Sequence, residues 1–234
     1  RMDVEIGKVF RQLEAMQALR DTVILFLSDN GASPEQLIRG DGHDASAPLG
    51  SARSFLGLGP GWSSCSNTPF RLHKSWVHEG GIASPLIVHW PNGIREQNTL
   101  RHNPGHFIDV LPTLVDLGGG KPVADPASGA PPLPGKSLVP AFQKDGTALP
   151  DFLYFNHSNN RAIRVGDNKL VAIGQSGPWE LYDLSKDRGE QDNLAAAQPK
   201  TVASMAKLWN EKDQEYVRER ESSPPTSKPR MPAR

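Results

Sequence analysis

The chain predicts an α/β fold with a small antiparallel α+β subdomain after it, and three observations carry that expectation. An amphipathic helix leads straight into an apolar strand, a second apolar strand follows beyond a long loop, and four short strand-like runs with turn-sized spacers come last. The helix covers roughly residues 2–19, where Met2, Ile6, Val9, Leu13 and Met16 recur at i, i+4, i+7, i+11 and i+14 on one face. It starts at the first residue without a capping side chain, which reads as a chain cut from something longer. The strand at 22–28 stops at Asp29-Asn30-Gly31, where Gly31 is expected to supply the positive φ of a turn. A buried strand of this kind delivers Asp29 and Asn30 together at its C-terminal end, the edge at which open α/β sheets bind ligands. Two adjacent oxygen donors there suit a hard cation such as calcium or magnesium.

Residues 32–70 are rich in glycine and proline, show no sustained periodicity and read as one long loop. Within 82–90, Pro85-Leu-Ile-Val-His-Trp90 reads as a second buried strand. Phe107, Val110, Leu111, Leu114 and Val115 form a helical stripe that Gly118-Gly-Gly120 terminates. Residues 121–150, with Pro-Pro-Leu-Pro at 131–134, form a long connection in which Ser137-Leu-Val-Pro-Ala-Phe142 docks as a short helix. The runs 152–156, 161–165, 169–173 and 179–184 predict an antiparallel meander. Pro199 opens a last helix whose Val202, Met205, Leu208 or Trp209, and Lys212 would cover that sheet. The expected organisation is an α/β portion over 1–150, a small subdomain over 151–216, and a disordered tail over 217–234.

Composition narrows the function. Lys plus Arg equals Asp plus Glu at 26 each, so the chain lacks the basic excess of a nucleic-acid binder. No apolar run is long enough to cross a bilayer, so no membrane partner is expected. The single cysteine, Cys65, excludes an intrachain disulfide and a cysteine-rich zinc cluster.

The chemistry concentrates in Asn67-Thr-Pro-Phe-Arg-Leu-His-Lys-Ser-Trp-Val-His-Glu-Gly-Gly-Ile82. Lys74 is a flexible point charge with three donors, suited to a tetrahedral oxyanion such as sulfate or phosphate. Glu79-Gly80-Gly81 marks a backbone reversal at which side chains would obstruct close approach. An oxygen-donor pair and a cation at the ends of two strands are the parts that an anionic-ester site needs.

These segments resemble the C-terminal half of the sulfatases, of the bacterial arylsulfatase type. The likeness rests on Ser28-Asp-Asn-Gly31, Asn67-Thr-Pro-Phe70 leading to Lys74, and Glu79-Gly-Gly81 with Pro85-Leu-Ile-Val-His-Trp-Pro91. It continues through Gly105-His-Phe-Ile-Asp-Val-Leu-Pro-Thr113, Gly135-Lys-Ser-Leu138, Asn160-Arg-Ala-Ile-Arg164, Lys169-Leu-Val171 and Trp179-Glu-Leu-Tyr-Asp-Leu184, and spans roughly residues 2–212. The resemblance implies an alkaline-phosphatase-like mixed sheet with helices, followed by a small subdomain of antiparallel strands and a C-terminal helix. It also implies hydrolysis of a small-molecule or glycan sulfate ester through a covalent enzyme sulfate, with calcium in preference to magnesium. By the same likeness Asp29 and Asn30 are the metal ligands, Lys74 is the catalytic and sulfate-binding lysine, and His157 lines the substrate cleft. A periplasmic or secreted location follows in the same way; oligomeric state does not.

The family nucleophile is a formylglycine made in a Cys/Ser-x-Pro-x-Arg motif, and no such motif is present. Cys65 lies in Ser64-Cys-Ser-Asn-Thr-Pro69 and reads as a loop or packing thiol. The nucleophile and the remaining ligands are therefore expected in a missing N-terminal half, and this chain alone is expected to be inactive. His73 and His78 flank Lys74 and read mainly as loop hydrogen-bonding groups, and His106 as the start of a helix. Asp41, His43 and Asp44 read as a solvated loop rather than a metal cluster, and Asn156-His-Ser158 fits a glycosylation acceptor. The alternatives are a phosphatase or phosphodiesterase of the same superfamily and a non-catalytic sulfatase-like binding domain.

Overall fold

The computed structural model describes residues 1–36, 42–54, 57–120, 133–147 and 150–222. They divide into two units, one made of residues 1–98 and 151–206, the other of 99–150 and the residues from 207 on.

In the first unit, α1 (Met2–Ala15) leads through a short 3-10 turn (Leu19–Asp21) into β1 (Ile24–Leu27). The covered stripe of α1 is Ile6, Phe10 and Leu13, and the Phe10 ring lies 5.5 Å from that of His89. Met2, Val9 and Met16, expected on that stripe, are exposed. The strand β1 pairs antiparallel with β2 (Leu86–His89), Ile24 opposite His89 and Leu27 opposite Leu86. Both strands were expected to be buried, yet Phe26 is 43% and Ile87 59% exposed. The reason is that among the described residues these two strands pair only with each other. The antiparallel register sets the end of β1 beside the chain that enters β2. A helix, α2 (Gly59–Asn67), interrupts the segment expected to be irregular. Its start is proline chemistry: Pro60 occupies the first turn, where a missing N–H costs nothing.

The four expected strands form a meander in chain order, β3 (Leu153–His157), β4 (Asn160–Val165), β5 (Asn168–Ala172) and β6 (Glu180–Asp183). Opposed residues share a face, so the register sorts the sheet. One face carries the row Phe155, Ala162, Val171, Glu180 and the row Leu153, Arg164, Lys169, Tyr182. The other carries Tyr154, Ile163, Leu170 and Leu181, the last three fully buried. On the first face, Val77 is packed into a cluster with Ala162, Val171, Tyr182 and Leu184. The segment bearing Lys74 is therefore part of the core that covers the meander.

Charges on that face complete the attachment. Lys169 is fully buried, its Nζ 3.0 Å from Glu79 Oε1 and 2.8 Å from Glu190 Oε1. Glu190 Oε2 accepts the backbone N–H of Glu79, first residue of the short helix α3 (Glu79–Ile82), at 2.8 Å, and Arg188 donates to Glu79 Oε2 at 3.1 Å. Beside them Arg71 donates to Glu180 and to the Tyr182 hydroxyl, both at 2.9 Å, and Tyr182 donates to Glu180 at 2.6 Å. Burial pushes the Glu79 carboxyl up, but Lys169 and Arg188 more than offset it, and Glu79 stays below the usual carboxylate range. Burial dominates at Glu190, whose carboxyl is shifted up despite Lys169.

In the second unit a 3-10 turn (Phe107–Asp109) opens α4 (Val110–Leu117), and α5 (Val139–Gln143) follows. Asp109 accepts the N–H of His106 at 2.8 Å and of Lys136 at 2.9 Å, while buried Thr113 accepts that of Leu138 at 2.9 Å. These bonds join the Gly105–Thr113 segment to the Gly135–Leu138 segment. The last helix, α6 (Pro199–Ser222), buries Met205 and Trp209 and runs past residue 216, where a disordered tail was expected to begin. Apolar periodicity fades there, but residues of high helix propensity continue, with Lys207–Glu211 and Lys212–Glu215 pairs along the surface. Residues 223–234, the rest of that tail, lie outside the described residues.

Replacing Lys169 by Met leaves two buried carboxylates facing each other, and a loss of about 3–5 kcal/mol is expected by urea denaturation. Adding Glu190→Gln should recover part of it, because Glu79 keeps Arg188. A Lys169→Met protein as stable as the wild type would contradict the role given to this ion pair.

Candidate functional site

At the end of β1 the Ser28 hydroxyl donates to the carbonyl of Asn30, and Asn30 Nδ2 donates to the carbonyl of Gly31 at 2.8 Å. That second bond uses one of the two amide hydrogens, and Oδ1 accepts no hydrogen bond among the described residues. Asp29 is exposed and forms no hydrogen bond or ion pair among the described residues. Gly31 does not have a positive φ, contrary to the turn expectation. It is needed for space: a Cβ there would lie 1.8 Å from the carbonyl oxygen of Gly80. Gly80 and Gly81 are constrained likewise, a Cβ meeting Leu72 O at 2.1 Å and Trp76 O at 2.0 Å respectively.

This close approach joins the two motifs. Gly31 N–H donates to Gly81 O at 3.0 Å, and Lys74 N–H donates to Ala32 O at 3.1 Å. Lys74 is half-buried, and its ammonium has no ion pair with a described residue. The oxygen-donor pair and a cation in need of an anion are thus brought to one end of the two-stranded sheet. Calcium takes six to eight oxygen ligands, so Asp29 and Asn30 fit a hard cation as part of a larger set. Among the described residues no group of three or more His, Cys, Asp or Glu side chains gathers into a metal cluster.

His157 is exposed at the end of β3, before the Ser158-Asn159 turn. Its cross-strand partner Asn160 donates to the carbonyl of Ser75 at 2.7 Å, so the hairpin that carries His157 is tied to the residue after Lys74. The two histidines around Lys74 are structural. His73 is buried, 3.0 Å from Ser63 Oγ of α2 and edge-on to Trp76 at 4.9 Å. His78 has no exposed surface, and its Nε2 lies 3.4 Å from Glu180 Oε2. A carboxylate only accepts, so Nε2 carries the proton, while Nδ1 has no hydrogen-bond partner among the described residues. Burial, reinforced by the charges of Lys169 and Arg71, lowers the His78 pKa to about 4 against the pull of Glu180.

Of the other residues singled out, His106 caps its 3-10 turn, accepting the N–H of Ile108 at 3.2 Å. Asp44 is bound by Ser46 and Arg53, as a surface loop requires, and Asp41 lies outside the described residues. Cys65 is exposed on α2. Sequence reasoning missed Asn67, Asn160 and the Lys169 network. The available signals were an amide opening each of two motifs, and a lysine heading an otherwise apolar strand.

A family model described as Sulfatase matches residues 1–120, and one described as N-sulphoglucosamine sulphohydrolase, C-terminal, matches residues 70–217. The chain belongs to the sulfatase family. It is 30% identical to an uncharacterized sulfatase of Schizosaccharomyces pombe over 89% of its own length and 40% of that protein's. Among solved structures it is similar to Ps i-CgsB, with a TM-score of 0.66 and 21% identity over 96% of this chain and 46% of that one. It is also similar to a protein solved in complex with its substrate D-glucosamine-2-N,6-O-disulfate, with a TM-score of 0.63 and 20% identity over 92% and 38%. The fold is the α/β fold of these proteins, and the chain spans less than half the length of each.

The histidine buried without charge makes stability depend on pH. The folded pKa of His78, about 4, lies below its ordinary 6.5, so its contribution is fully present above pH 6.5 and is lost as pH falls toward 4. About 3 kcal/mol is at stake across that window. His78→Gln should flatten the pH dependence of the unfolding midpoint between pH 6.5 and 4; an unchanged slope would mean that His78 titrates normally in the fold.

Proposed function

We propose that this chain supplies one wall of the active site of a sulfatase that hydrolyses sulfate esters of small molecules or glycans, with arylsulfates as usable substrates. The observation that carries the reading is the pair of backbone bonds, Gly31 to Gly81 and Lys74 to Ala32, that holds at one sheet end a carboxylate and an ammonium with no ion-pair partner among the described residues. In this reading Lys74 grips the sulfate group, and its charge counters the negative charge that gathers on the sulfate oxygens as the ester bond breaks. Asp29 and Asn30 would hold calcium in preference to magnesium, and a bound calcium ion supplies Lewis acidity at those oxygens. Asn30, being neutral, keeps the site from becoming too anionic to admit an anionic ester. In the same reading His157 contacts the part of the substrate beyond the sulfate, which is supported by the tie between its hairpin and the residue after Lys74. A sulfated sugar as that substrate is supported by the bound glucosamine disulfate of a similar structure. The nucleophile, a formylglycine, belongs in this reading to a part of the protein outside this chain.

The test uses the full-length protein and 4-nitrophenyl sulfate. Lys74→Ala is expected to lower kcat/KM by about 10²–10³-fold with an unchanged unfolding midpoint; unchanged turnover would remove Lys74 from the site. Asp29→Ala should abolish stimulation by added calcium and weaken calcium binding measured by titration calorimetry, and retained calcium-stimulated hydrolysis would contradict the ligand assignment. The purified 234-residue chain is expected to release no nitrophenol.

A further inference from the structure

The residues on either side of His73-Lys74 adopt backbone conformations that their side chains disfavour. Leu72 has a φ of 63° and Ser75 a φ of 85°, both in the left-handed region, where a branched side chain such as leucine is seldom found. Conformations of this kind are unfavourable and persist only where surrounding structure holds them. Here the holding groups are two asparagine side chains. Asn67, the last residue of α2, donates from Nδ2 to the carbonyl of Leu72 at 3.1 Å and accepts the N–H of Ala32 on Oδ1 at 2.9 Å. Asn160, first residue of β4, donates from Nδ2 to the carbonyl of Ser75 at 2.7 Å and accepts the N–H of Gly174 on Oδ1 at 3.0 Å. Backbone N–H groups only donate and carbonyls only accept, so the partners themselves orient both amides.

The two bridges are alike in chemistry and differ in what they join. Asn67 ties the Lys74 segment to Ala32, and hence to the strand end that bears Asp29 and Asn30. Asn160 ties the same segment to the hairpin that bears His157. Asn160 is 8% exposed, so its bonds form with little competition from water. Between the two gripped residues, Leu72 and Ser75, only His73 and Lys74 remain, and His73 is itself fixed by Ser63.

We propose that Asn67 and Asn160 are positioning residues that clamp the two left-handed peptides around Lys74 and so aim its ammonium at the sulfate group. This rests on the reading of Lys74 as the sulfate-binding lysine. Aspartate is the informative replacement at each site, because it preserves the shape and the accepting oxygen and turns the donating nitrogen into an oxygen that repels the carbonyl.

In the full-length protein, Asn160→Asp and Asn67→Asp are each expected to lower kcat/KM for 4-nitrophenyl sulfate on the order of 10²-fold. The inhibition constant of inorganic sulfate should rise in parallel, since that ion probes the lysine grip without turnover. The deciding measurement is a cycle with Lys74→Ala: if the clamps act through Lys74, adding Asn160→Asp to Lys74→Ala lowers activity no further. Additive losses, or an unchanged sulfate inhibition constant in the single variants, would overturn the proposal by showing that the asparagines act on the fold alone. Wild-type activity in both aspartate variants, with Lys74→Ala impaired, would overturn the clamp and leave the Lys74 reading standing. Wild-type activity in Lys74→Ala would overturn both. The two asparagines lie in different elements, so failure of one variant to fold leaves the other to decide.

Discussion

The ammonium of Lys169, placed without solvent contact on the inner face of the meander, is the constraint from which the rest of the first unit follows. A lone charge at that position would cost several kcal/mol, so two carboxylates must reach it, and neither belongs to the sheet. Glu190 comes from the loop after β6, and Glu79 from the first residue of the four-residue helix α3 (Glu79–Ile82). Two carboxylates on one lysine leave a surplus negative charge, which Arg188 offsets from the partly exposed side while stacking 4.6 Å over Phe70. Because Glu190 also accepts the N–H of Glu79, the ion pair fixes the backbone of that residue as well as its side chain.

From Glu79 the constraint travels through glycine. With Glu79 held, Gly80 and Gly81 are driven against the carbonyls of Arg71, Leu72 and Trp76, and Gly31 against Gly80, at separations that no Cβ could share. The end of β1 and the Lys74 segment thereby become neighbours through direct backbone contact, to which the Asn67 side chain adds its bridge. The charged core of the subdomain and the candidate site at the sheet end are accordingly one mechanical assembly, although Lys169 and Lys74 are 95 positions apart, 169 less 74, in the chain.

How much of this was legible in the sequence depended on whether the cause was local. The four meander strands were legible because each combines apolar or β-branched residues with turn-sized spacers, and α5 because Pro140 sits in the first turn of a short apolar run. Helix α2 was not: its sequence, Gly-Pro-Gly-Trp-Ser-Ser-Cys-Ser-Asn, has no apolar stripe, and what stabilises it are side-chain bonds to residues outside the helix, Ser63 to His73 and Asn67 to Ala32 and Leu72. The stripe of α1 was read one position astray, since Val9 and Phe10 are adjacent and only packing against His89 selects Phe10. Asp29, Asn30 and Lys74 stood out as residue types at strand ends. Asn67 and Asn160 did not, because an asparagine that bridges two peptides looks the same in a sequence as one that faces water. Gly31 was noticed for the wrong property, conformational freedom, when its use is the absence of a side chain.

An apolar covering of the meander would have been at least as stable as the ionic one, since well-packed hydrophobic residues commonly equal or exceed a buried charge triad. It would not have specified the position of one segment so narrowly. Val77 alone, sliding in the Ala162–Val171–Tyr182 cluster, could settle in more than one register, whereas Arg71 and His78 both meet Glu180 and Glu79 meets Lys169 and Glu190. Those bonds hold the segment at its C-terminal side; Asn67 and Asn160 hold it around Lys74; and the left-handed Leu72 and Ser75 show that the grip is strong enough to sustain unfavourable backbone. A lysine that had only to be soluble would need none of this. In the proposed role, meeting a tetrahedral anion beside a carboxylate and an amide, Lys74 needs a fixed root for its flexible stem, and the stability given up in burying charge and bending the chain would supply it.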